Sequence, residues 1–91
     1  MELVASTHAI SADPEQAAIL QLQRIQEIHD ERGDNAGAAA VFRSVLDQTE
    51  NRAVRNAAWS MLGNNLKDTG RIDEAVEALR QGLNENLEAL D

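Results

Sequence analysis

Apolar positions along the chain recur at steps of three and four residues, and they separate into four runs of helical period. The first follows Asp13-Pro14-Glu15-Gln16. Asp13 can accept from orphan backbone N–H groups, Pro14 suits the first helical position, and Gln16 completes a capping box. Ala18, Leu22, Ile25, Ile28 and His29 then share one face, and Arg32-Gly33 closes the run, which predicts a helix over 14–32. Asp34 can cap a second helix, whose face is Ala36, Ala38, Ala39, Val41, Phe42, Val45 and Leu46, fading near Gln48. After the polar break Thr49-Glu50-Asn51, a third helix carries Ala53, Val54, Ala57, Ala58, Met61, Leu62 and Leu66 to about Thr69, closed by Gly70. Asp73-Glu74 opens a fourth, with Val76, Leu79, Leu83, Leu87 and Leu90. Residues 1–12 carry no period: Leu3, Val4 and Ile10 are interrupted by Ser6, Thr7 and Ser11. Residues 1–13 therefore read as an N-terminal arm, disordered or docked, ahead of a domain over 14–91.

The order is helix, glycine turn, helix, break, helix, glycine turn, helix, and it predicts an internal repeat. With Gly33 placed over Gly70, 37 residues on, Leu22 falls over Trp59, Ile25 over Leu62 and His29 over Leu66. Ala38 falls over Ala75, and Phe42 over Leu79. A small residue five positions after each glycine lets two helices approach closely while large residues interlock. Gly33 and Gly70 should both adopt positive φ. Gly37 and Gly82 lie inside helices, where Ala is the better former.

The second hairpin resembles the tetratricopeptide repeats (TPR), whose pattern is Trp-x2-Leu-Gly-x2-Tyr in one helix and Ala-x3-Phe in the next. Trp59, Leu62, Gly63, Gly70, Ala75 and Leu79 fall in register, and Leu66 stands for the tyrosine. In the first hairpin Gly33, Ala38 and Phe42 match, while Leu22 stands for Trp, Gln26 for Gly and His29 for Tyr. Neither copy carries the terminal proline; Glu50 and Leu87 fall there. The resemblance implies repeats over about 19–50 and 56–88. It implies an all-α fold of two stacked antiparallel helix hairpins, a short right-handed solenoid, with a core of Leu22, Ile25, Ala38, Phe42, Trp59, Leu62, Leu66, Ala75 and Leu79. Trp59 is expected near Ala75 and Leu79. Gly82 falls at the family's small position near the end of the second helix.

Composition narrows the chemistry. Ninety-one residues make one small domain; 43% are hydrophobic and 26% charged, which is globular rather than disordered. The absence of cysteine excludes disulfides, thiolate zinc sites and thiol catalysis. Phe42 and Trp59 are the only aromatic residues, which argues against a β-sandwich or barrel. A net charge of −8 disfavours nonspecific attraction to nucleic acid or anionic membranes. With no legible signal peptide and no membrane-length apolar run, a cytoplasmic protein is expected.

No catalytic or cofactor motif is apparent, and no cofactor is expected. His29 and Asp30 sit beside Glu27 and Glu31, but adjacent helical residues point apart and do not converge on one ion. His29 reads as a packing residue, and His8 in the arm has no partner spacing. Gly33-x3-Gly37 is a turn glycine followed by a helix glycine, since no Gly-Lys-Ser/Thr follows.

The expected activity is noncatalytic protein–protein interaction, as an adaptor, scaffold or co-chaperone-like module. The resemblance implies a peptide- or protein-binding groove lined by Gln23, Arg24, Glu27 and Asp30 of one copy and Ser60, Met61, Asn64 and Lys67 of the other. Asn64 falls at an asparagine position of the family's carboxylate clamp. Gln23 and Ser60 replace its lysines and Glu27 its other asparagine, so that clamp is not expected. The alternative is a structural homo-oligomer, such as a homodimer. Ile72, Val76 and Leu79 are expected to face their own hairpin, while Leu83, Leu87 and Leu90 extend beyond it and either fold over the domain end or meet a second chain, with Arg80 facing Glu85 or Glu88. The acidic tail, Glu85, Glu88 and Asp91, suits a basic partner. A more distant alternative is an acidic decoy for a nucleic-acid-binding protein.

Overall fold

A computed structural model of the chain describes residues 13–90, which form four α-helices with no strand among them. Helix α1 spans Pro14–Arg32, α2 Asn35–Gln48, α3 Arg52–Asp68 and α4 Ile72–Leu90. The expected arm over 1–12, with Leu3, Ile10 and His8, and the terminal Asp91 lie outside the described residues.

Three helix starts are capped by side chains, which satisfy orphan N–H groups of the first turn. Asp13 Oδ1 accepts from the backbone N–H of Glu15 at 3.0 Å and of Gln16 at 3.4 Å. Asp34 Oδ1 accepts from Gly37 at 2.9 Å, and Asn51 Oδ1 from Val54 at 3.0 Å. The two glycine turns share one hydrogen-bond pattern. Gly33 has φ 69° and Gly70 φ 80°. Asp34 N–H donates to His29 O at 2.8 Å, and Arg71 N–H donates to Leu66 O at 2.9 Å. Gly33 and Gly70 donate to the carbonyls three residues earlier, Asp30 and Lys67. This is the Schellman arrangement, in which only glycine adopts the left-handed closing position without strain.

Helix α3 is central. It packs against α1, α2 and α4, whereas α4 packs closely on α3 and reaches α2 through the Arg43–Glu74 ion pair at 3.9 Å. The core joins Leu22 of α1, Ala38, Ala39 and Phe42 of α2, Val54, Leu62 and Leu66 of α3, and Ala75 and Ala78 of α4. Of the expected core, Ile25 and Trp59 are half-buried, and Leu79 is 47% exposed, contrary to expectation. The reason lies in the face that α4 turns inward. It buries Ala75, Ala78 and Gly82, a strip of small residues that brings the helix backbone close to α3. Leu79 emerges at the edge of that strip and rests on Gly63, where an added Cβ would stand 2.7 Å from Leu79 Cγ.

Trp59 packs between the helices of the second hairpin, against Gly82: a Cβ on Gly82 would stand 3.0 Å from Trp59 Cβ. In a hairpin closed at Gly70, residues at similar distances from the turn meet. Trp59, eleven residues before the glycine, therefore reaches Gly82, twelve after it, and Gly63, seven before, reaches Leu79, nine after. Gly82 is thus a point of close helix approach, not an ordinary helix-interior glycine.

Candidate functional site

The same pairing across the hairpin places Arg55 of α3 opposite Glu85 of α4. Arg55 Nε and Nη2 donate to the two Glu85 carboxylate oxygens at 3.0 and 2.7 Å, a bidentate pair. Trp59 Nε1 donates to Glu85 Oε2 at 2.9 Å, and Arg52 Nη1 to the Glu85 carbonyl at 3.0 Å. Arg55 Nη1 also donates to the carbonyls of Leu46 and Thr49, which fastens the α2–α3 link to the same point. Hydrogen bonds from Arg55, then from Trp59, hold the Glu85 carboxyl below its ordinary range, and burial opposes them. Glu85 is therefore turned inward. It is not the outward rim residue expected to meet Arg80 or a basic partner. The signal was in the chain: Arg55 and Glu85 are the same distance from Gly70 in opposite directions.

The residues expected to line a groove lie on two contacting helices. Gln23, Arg24, Glu27 and Asp30 are exposed on α1; Ser60, Asn64 and Lys67 are exposed on α3, with Met61 half-buried against the core. Clefts among the described residues are formed elsewhere, between α2 and α4, between the α2–α3 link and the end of α4, and between α1 and the end of α2. One of them, about 400 Å³, runs between α2 and α4. Its floor is Trp59, Leu62 and Leu66, and its charged rims carry Arg43 and Asp47 on one side and Glu74 and Glu77 on the other. His29 is half-buried, with Nδ1 3.2 Å from Asp34 Oδ2, the carboxylate that also caps α2. Among the described residues no three potential ligands gather around one point that could hold a metal ion.

Among the described residues the largest exposed apolar surface is the outer face of α4. Ile72, Val76, Leu79, Leu83, Leu87 and Leu90 are between 47% and 81% exposed. Their spacing of 4, 3, 4, 4 and 3 keeps them in one stripe along the whole helix. Ile72, Val76 and Leu79 were expected to turn onto their own hairpin; instead they join Leu83, Leu87 and Leu90 in solvent. The small inward strip explains this, because α4 approaches α3 through alanine and glycine and leaves its large side chains to one side. Together the six side chains expose on the order of 500 Å², at the upper end of what a monomeric surface leaves in one patch. No described helix is long and apolar enough to cross a membrane.

No protein-family model, curated protein or solved structure matches the chain.

Proposed function

We propose that the protein is a noncatalytic protein–protein interaction module built from two TPR-like hairpins stacked as a short right-handed solenoid. Support for the repeat comes from the two turns, which close on Gly33 and Gly70 with equivalent hydrogen bonds. Support for the interaction comes from one observation: a 19-residue helix at the edge of the domain presents a continuous apolar stripe to solvent. In stacked hairpins each helix pair buries its open face against the next element. Here α4 has its small face on α3 and its large face uncovered, which makes it a ready docking edge. By comparison, the polar faces of α1 and α3 are solvated.

The test is site-specific photo-crosslinking inside the cells that make the protein. A benzophenone side chain placed at Leu83 should give a discrete adduct, and the same group at Ser60 should give far less. Adducts from Ser60 with none from Leu83 would return the docking site to the α1–α3 face. No adduct from either position would contradict the interaction reading.

A further inference from the structure

We propose that the occupant of the α4 stripe is the same stripe of a second copy, running antiparallel, with the two-fold axis passing between Glu77 and Ala78. This rests on the interaction reading and names its partner. Ile72, Val76, Leu79 and Leu83 alternate steps of four and three, the seam along which two helices interlock. About that axis Ile72 faces Leu83 of the second copy and Val76 faces its Leu79, and each pair recurs by symmetry. In this register Ile72, Val76, Leu79 and Leu83 of the two copies remove on the order of 700 Å² from water, the range of weak, transient contacts. A weak dimer in the upper micromolar range follows.

Charge selects this register. Arg80 is the only base on α4, and it borders the stripe on the flank that also carries Asp73 and Glu77. In the proposed register Arg80 of each copy lies between Asp73 and Glu77 of the other. A parallel pair would set Arg80 against the Ala75 and Gly82 flank of the other copy, where it meets no acid and where α3 already packs. The longest antiparallel overlap, with Ile72 facing Leu90, would bring the two arginines together and press Asn86 onto Val76. Like charges placed opposite each other are unfavourable, so the shorter overlap is preferred. Helix α1 offers no equivalent seam: Leu20 and Ile28 are exposed there, but exposed Arg24 and Glu27 fall between them.

Sedimentation equilibrium of the full chain, up to about 300 μM, tests the proposal. The wild type should show a concentration-dependent dimer. Val76→Glu/Leu83→Glu should be monomeric with unchanged helical circular dichroism. Arg80→Glu should weaken the dimer about tenfold, and adding Glu77→Arg to it should recover most of that loss. A wild type that stays monomeric throughout overturns self-pairing; adducts from Leu83 with a different protein would then leave the interaction reading standing. A dimer indifferent to the Val76/Leu83 variant also overturns it. A dimer strengthened by Arg80→Glu contradicts the antiparallel register.

Discussion

The Glu85 carboxylate accepts from Arg55 and Trp59 and its backbone carbonyl from Arg52, which joins α4 to α3, and Arg55 carries the connection on to the α2–α3 link. Removing one partner leaves the others without compensation inside a partly buried site. Trp59→Phe keeps the ring against Gly82 but loses its N–H donor, and should cost about 1.5 kcal/mol, the scale of a hydrogen bond to a charged group. Trp59→Ala removes the packing as well and should cost about 3 kcal/mol, measured by urea denaturation. The carboxyl also sets a pH dependence. Its folded pKa lies below the ordinary 4.5, so its contribution is complete above that value and fades as pH falls through the folded pKa. Stability of the wild type should therefore drop below about pH 4.5 through this group, and Glu85→Gln should show a shallower acid limb from a lower starting stability. An unchanged acid limb in that variant would remove Glu85 from the account.

Among the elements, α4 behaves least as its sequence suggests. All four helices and the two closing glycines were legible, because period, caps and turn residues are local signals. The face that α4 turns to α3 was not, since Ala75, Ala78 and Gly82 compete with the leucines for the inward side. Hydrophobicity alone favours the leucines; close backbone approach favours the small residues, and the structure takes the second solution. Gly82 carries that choice. Gly82→Ala gains about 1 kcal/mol in helix propensity, yet its methyl would press on the Trp59 Cβ and should cost about 1–3 kcal/mol. A thermal melt should show a net loss; a rise in melting temperature would show that the helices can separate freely at this point. Gly33 and Gly70 differ in kind, because a Cβ there meets nothing within 4 Å and only the positive φ resists substitution. Gly70→Asn should be milder than Gly70→Val by about 1 kcal/mol, since Asn tolerates the left-handed region and β-branched residues do not.

Across the whole molecule, burial is unevenly spread. α1 fully buries Leu22 alone, while α3 buries Val54, Ala58, Leu62, Gly63, Asn65 and Leu66. The first hairpin is accordingly the looser half, and α1 amides should exchange with deuterium well before those of α3. Leu22→Ala should raise α1 exchange most and leave α3 the better protected helix. The opposite open edge is the face of α4, and on it rests the proposed activity. The chain contains no cysteine, so single spin labels at Gln81→Cys or Glu88→Cys report distances between copies without background. About an axis between Glu77 and Ala78, the rise of 1.5 Å per residue separates the two Gln81 positions by about 10 Å along the helix and the two Glu88 positions by about 32 Å. Pulsed electron spin resonance should therefore give a short distance at position 81 and one about 20 Å longer at 88. Equal short distances at both positions, or no coupling between copies at either, would contradict the account.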